Sequence, residues 1–254
     1  MSGDSAAHFE TEDGTLCLLL SDGMGCGEAA QRESSMAVRL LERFLRAGID
    51  APPALKTLNS ALSLRAESTD SFTTVDLLTL SLQTLEGELY KYGAAPSYLK
   101  RGGTVRRVTC SCLPAGLQEG SPPPEATHIK LSPGCFFVML SDGVADSLDD
   151  EWLQNLLAGW EGHDPQQLVA AILADSMEKR GGTDDAGVLA LYIPEDSARR
   201  RSERSKNFRS SRIAPAAAGI LEAECFSIGR CCFQYGQGNI AESDRGRLAG
   251  YGAF

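Results

Sequence analysis

The sequence predicts an α+β domain built in layers, and three observations carry that prediction. Two amphipathic helical stretches stand side by side near the start, and two more follow residue 150. Between them, from 72 to 140, β-branched and apolar runs alternate with glycine turns. Short apolar runs, "LCLLL" (16–20) and "FFVML" (136–140), have the length of buried strands. Helix pairs beside antiparallel strands are the pattern of helices layered on sheets.

A first strand is expected over 15–20, leading into Asp22. "ESSMAVRLLERFLRAGI" (33–49) puts Met36, Leu40, Leu41, Phe44 and Leu45 at helical spacing, with Gly48 as a stop. A second helix, 52–66, starts on a proline pair and lines up Leu55, Leu58, Ala61 and Leu62. "FTTVDLLTLSLQ" (72–83) reads as a strand. "LYKYGA", "SYLKRG" and "TVRRVTC" then suit an antiparallel meander. "ATHIKLSPGCFFVMLSDG" gives two more strands about a Ser-Pro-Gly turn. "DDEWLQNLLAGW" and "PQQLVAAILADSMEKRGG" are amphipathic helices, and "AGVLALYIP" (186–194) is the last strand. Residues 1–195 are expected to form one domain. Residues 196–254 show no sustained period and are expected to be a basic, disordered tail, dispensable for catalysis.

The 254 residues are 43% hydrophobic and 23% charged, as in an ordinary globular domain. The net charge of −10 hides a division. In 1–195 acids outnumber bases about two to one, whereas "RRRSERSKNFRSSR" (199–212) makes the remainder basic. An acidic body does not suit nucleic acid, whose binding depends on basic patches. No apolar run reaches bilayer length and no secretory leader opens the chain, so a cytoplasmic location without membrane contact by this fragment is expected. A full-length parent could still be membrane-anchored. Among the eight cysteines, Cys17 and Cys135 sit in apolar runs. Cys110/Cys112 and Cys231/Cys232 lack the partners of a zinc site. Reduced thiols are expected.

Four acidic stations stand out: Asp4 in "SGD", Asp22 in "SDGMG", Asp142 in "SDGVAD", and Asp184 with Asp185 in "GGTDDAG". Strand ends hold side chains in fixed places, and the glycines let a ligand approach the backbone. Oxygen donors without His or Cys select hard cations such as Mg²⁺ or Mn²⁺. A lone Asp-Gly after a strand is usually a turn. Two strand-Ser-Asp-Gly copies and an Asp-Asp before a strand point instead to one shared site. Asp146, Asp149 and Asp150 fit caps of the following helix. His8, His128 and His163 are isolated and receive no catalytic role.

Taken together, "SGD", "LSDGMGCGEAA", "ESS", "GAAPSYLKRGG", "LPAG", "SDGV" and "TDDAGVLAL" resemble the PPM (PP2C-like) metal-dependent serine/threonine phosphatases. Within them the likeness is to the phosphatase domain of the stage II sporulation protein E family, over roughly residues 2–194. The resemblance implies a four-layer α-β-β-α sandwich with a two-metal centre at one end of the sheets. Asp22 then matches the acid bridging both ions, the Gly23 carbonyl a backbone ligand, and Asp4, Asp142 and Asp184 the remaining carboxylates. Asp184 is preferred to Asp185 because the family's ligand is the first of the pair. Asp22, Asp4 and Asp142 become the catalytic acids. The family normally has about two strands before the "SGD" segment, so an N-terminally truncated form is expected. Cys26, beside the metal loop, is a second departure.

By the same resemblance, two Mn²⁺ or Mg²⁺ ions would acidify a bridging water, and the hydroxide would attack phosphorus in line. The implied reaction is hydrolysis of phosphoserine on a regulatory protein, such as an anti-sigma-factor antagonist in bacterial sporulation. No cysteine has the basic surroundings of an activated nucleophile. The alternative is a catalytically weak or inactive regulatory binding module of the same fold. A haloacid-dehalogenase pattern fails, because Gly23 and Met24 follow Asp22. The resemblance further implies a switch in 33–66 and allows a homodimer.

Overall fold

The computed structural model describes residues 3–25, 27–66, 72–109, 111–144, 150–180 and 185–195, and the strand at 230–236. Its first sheet has the order β1 (Asp4–Glu10), β2 (Thr15–Asp22), β3 (Val75–Ser81), β4 (Glu86–Tyr92), β7 (Thr127–Lys130). The second runs β10 (Arg230–Gly236), β9 (Ala186–Tyr192), β8 (Cys135–Leu140), β5 (Ser97–Arg101), β6 (Thr104–Val108). All pairings are antiparallel. Helices α1 (Glu28–Arg46) and α2 (Ala51–Ala66) cover the first sheet, and α3 (Glu151–Gly159) and α4 (Pro165–Arg180) the second. This is the expected α-β-β-α sandwich. Among the described residues no helix is long and apolar enough to cross a membrane.

Strand β2 shows why the "LCLLL" run is uninterrupted. Leu16, Leu18 and Leu20 face the second sheet, while Cys17 and Leu19 face the core under α1 and α2. A strand buried on both faces has no polar alternation to display. The same holds for β8, where Phe137 and Met139 point between the sheets and Phe136, Val138 and Leu140 point at α3 and α4.

Several expectations change. β1 was not anticipated, because "DSAAHFE" carries too few apolar residues to stand out; it is held by seven register pairs with β2. The meander is split between sheets: β3 and β4 pair in the first, β5 and β6 in the second. The crossing occurs at Gly93, whose φ of 57° ends β4 and whose missing side chain leaves room for Pro114. Helix α1 begins at Glu28 rather than 33. Asp150 stands at the N-cap of α3, yet its carboxylate does not cap. It accepts from Tyr98 Oη at 2.5 Å and pairs with Arg107 at 2.7 Å. Within the stretch read as a tail, Arg230–Gly236 pairs with β9 along its full length. "RCCFQYG" is too short a β-prone run to be seen among its Arg-, Ser- and Gly-rich surroundings. Cys26, Asp146, Asp149 and most of 196–254 lie outside the described residues.

Between the sheets the core is apolar except at one end. There Lys91 (β4) and Asp76 (β3), side chains 2% and 1% exposed, form an ion pair. Lys91 Nζ also donates to Ser97 Oγ of β5 at 2.8 Å, and Ser97 Oγ donates to Asp76 Oδ2 at 2.7 Å. The trio therefore pins one sheet to the other. Breaking a buried pair leaves an uncompensated charge, which costs about 3–5 kcal/mol. Lys91→Met should lower the unfolding free energy by about that much, and adding Asp76→Leu should recover most of it. Urea denaturation of both variants measures this; a harmless single substitution would mean the pair does not hold the sheets.

Candidate active site

The expected acids lie at the same end of the sandwich, contributed by both sheets. In β1 and β2, Asp4 and Asp22 are directly opposed in the register, and both face the second sheet. Asp142 follows β8 in an exposed turn. Hydrogen bonds link Asp22 to Asp4 and to Asp142, so three of the predicted carboxylates form one cluster. Asp184 lies outside the described residues. Asp185 is described: its Oδ2 accepts the Gly3 N–H at 2.7 Å, fastening the chain start to the front of β9.

Two serines explain the repeated Ser-Asp-Gly. Ser141 Oγ donates to Asp4 Oδ2 at 2.7 Å and accepts the Gly187 N–H at 2.7 Å, joining β8, β9 and β1. Gly187 has to lack a side chain, since a Cβ there would sit 2.6 Å from Asp4 Oδ2. Ser21 Oγ donates to the Thr74 carbonyl at 2.7 Å. The threonines then grip Asp22. Thr73 Oγ1 donates to its carbonyl at 2.6 Å, Thr74 N donates to the same oxygen at 2.8 Å, and Thr74 Oγ1 accepts its N–H at 3.0 Å. Sequence reasoning singled out the aspartates and passed over these hydroxyls. The only signal was the serine preceding each Asp-Gly.

Gly23 is buried and bonded to Gly3, its N–H donating to the Gly3 carbonyl at 3.1 Å. A Cβ on Gly23 would meet the Ala30 carbonyl at 2.0 Å, so α1 can begin close against the acid loop only with glycine there. Ser5 of β1 holds the same helix, its Oγ lying 2.9 Å from both Ser34 and Ser35 Oγ.

Burial raises the affinity of these acids for protons. It pushes Asp22 up to about 9, helped by the charges of Asp4 and Asp142. Asp4 is pushed up to about 7 by burial, against the hydrogen bond from Ser141 and with Asp185 and Asp142 raising it further. The described charges that raise them are those of Asp4, Asp142 and Asp185. A crowd of oxygen donors without a protein cation suits a hard divalent ion. Among the described residues, no three His, Cys, Asp or Glu side chains already stand at metal-holding spacing.

Comparisons with known proteins show the family and the fold. The family model described as Stage II sporulation protein E (SpoIIE) matches residues 12–194. The chain belongs to the SpoIIE family. It is 33% identical over 204 residues to Stage II sporulation protein E of Bacillus subtilis, covering 78% of this chain and 24% of that protein. Against the Priestia megaterium protein it is 31% identical over 217 residues, covering 83% and 37%. The chain thus spans well under half the length of the SpoIIE proteins it matches. A solved B. subtilis structure, the PP2C phosphatase domain of SpoIIE with a fragment of its regulatory domain, superposes with TM-score 0.67 at 34% identity. That match covers 74% of this chain and 58% of the other. An S. agalactiae serine/threonine phosphatase shares the fold at TM-score 0.61 and 18% identity, covering 75% and 92%. The part of SpoIIE that this chain matches is accordingly the PP2C phosphatase domain.

The raised affinities fix a sign for pH dependence. An acid that binds its proton more tightly when folded costs stability as pH rises from its unfolded value, near 4, through its folded value. For Asp22 that window is pH 4 to about 9. Metal-free protein should therefore lose thermal stability across this range. Asp22→Asn should be the more stable chain, by a margin growing with pH up to about 9. Calorimetry in chelator measures both; a wild-type midpoint that rises over pH 5–8 in step with the variant would contradict the crowded cluster.

Proposed function

We propose that the chain is a divalent-metal-dependent protein phosphatase that hydrolyses phosphoserine on a regulatory protein, such as an anti-sigma-factor antagonist. The observation that carries this reading is the convergence of Asp4, Asp22 and Asp142 from two sheets onto one spot, where these carboxyls are hydrogen-bonded to one another. Asp4, Asp22, Asp142 and the Gly23 carbonyl would hold two ions, Mn²⁺ or Mg²⁺, with Asp184 as the further ligand. Asp185 already spends an oxygen on Gly3, which supports that choice. When bound, the ions supply an acidified water and positive charge for in-line attack on phosphorus.

The rest falls to the protein. Asp22, gripped through its backbone by Thr73 and Thr74, presents its carboxylate between Asp4 and Asp142. Ser141 fixes which oxygen of Asp4 turns to the second sheet. No side-chain nucleophile is required: the described cysteines include Cys17, buried and with its thiol pushed up to about 12. A phosphorylated regulatory protein fits this chemistry.

The alternative is a regulatory module of the same fold without turnover. Phosphate release from a phosphoserine protein, with Mn²⁺ and with chelator, decides between them. The expected result is metal-dependent release that falls by orders of magnitude in Asp22→Asn. Release that ignores Mn²⁺, or survives in the Asn variant, would overturn the proposal; none at all would favour the module.

A further inference from the structure

Helix α1 carries a charge pattern that neither the fold nor the acid cluster needs. Arg32, Arg39 and Arg43 are exposed and recur at seven and four residues, so they fall on one stripe of the helix. They line an open groove with Met36 and Leu40 along its floor. No hydrogen bond or ion pair holds any of the three among the described residues, unlike Arg46, which pairs with Glu42 at 2.9 Å. Position matters too. A cation near a helix C-terminus is favoured by the backbone dipole, which accounts for Arg43. Arg32 lies in the second turn, where the dipole opposes it.

The stripe also starts beside the acid cluster. Helix α1 opens at Glu28, directly after the loop carrying Asp22 and Gly23, and Gly23 touches Ala30 of its first turn. Arg32 is about 6 Å and Arg43 about 22 Å along the axis from the helix start, at 1.5 Å per residue. Around it the body is strongly acidic. Within that acidic body the stripe offers an anionic protein a line of favourable charge, and the line leads to the site.

We propose that the arginine stripe of α1 is the docking rail for the phosphoprotein substrate, recognising an acidic surface next to its phosphoserine. The proposal rests on the phosphatase reading above and assigns its specificity. Arg32, Arg39 and Arg43 bind the acidic flank; the phosphate enters the cluster at the helix start. Groups remote from the reacting centre thus act on affinity and encounter, not on the chemical step.

The test uses the full chain with Mn²⁺ and three probes: p-nitrophenyl phosphate, a 20-residue phosphoserine peptide flanked by Asp and Glu, and its counterpart flanked by Ala and Gly. Wild type should show the lower KM for the acidic peptide, with the advantage shrinking as salt rises. The triple change Arg32→Glu, Arg39→Glu, Arg43→Glu should raise that KM about tenfold or more and erase the preference. Its kcat, its turnover of p-nitrophenyl phosphate and its thermal midpoint should stay as in wild type. The corresponding lysine triple variant should keep most of the preference, since charge is conserved. An unchanged KM in the Glu variant overturns the rail, and so does an equal loss on all three probes, which would mean that α1 acts on the acid loop. A change in mass by light scattering with KM intact would give the groove to a second copy and overturn the rail as well. If no probe is turned over, the phosphatase reading fails. The rail then stands or falls on fluorescence anisotropy of the labelled acidic peptide, whose binding the Glu variant must abolish.

Discussion

The architecture turns on one conflict: like charges are forced together at the seam between two sheets, and hydroxyls hold them there. Ser141 is the central stitch, because its single oxygen touches Asp4 on one sheet and Gly187 on the other. Carboxylates confined this way repel and desolvate one another, which raises their proton affinity. The apolar core between Leu16–Leu20, Phe137–Met139 and Leu189–Leu191 supplies the cohesion that offsets this cost. Favourable packing in the middle of the slab thus sustains an unfavourable arrangement at its edge, as is common at functional sites.

A second polar group works on the same seam. Lys91, Asp76 and Ser97 lie on β4, β3 and β5 and so tie the sheet bearing Asp22 to the sheet bearing Asp142. Asp76 is two residues from Thr74, whose backbone and hydroxyl grip Asp22. The spacing of the acids therefore depends on polar contacts that are themselves buried between the sheets.

Much of this was legible in the residues. Strands buried on both faces announce themselves as unbroken apolar runs, and Asp22 and Asp142 follow two of them. Strand β1 was not legible, since its partner rather than its composition makes it a strand. Nor were the sheet crossing at Gly93 and the role of Ser141, which depend on which strands become neighbours. Nothing in "LYKYGA" marks Lys91 as interior, and only the sandwich reveals it as buried. Local pattern marks elements; contacts between residues far apart in the chain leave no mark at either position.

The stitch at Ser141 has a consequence for the newborn chain. Ser141 and Asp4 are 137 residues apart, and Gly3 and Asp185 are 182 apart. While the polypeptide is leaving the ribosome, the acid of the first strand has neither its hydroxyl nor its glycine neighbour until nearly the whole domain has emerged. At about 5–20 residues per second that interval lasts on the order of ten seconds or more. Until then Asp4 lacks the contacts that bury it, and in water its repulsion from Asp22 is weak. A chain interrupted before Ser141 is made never acquires that stitch.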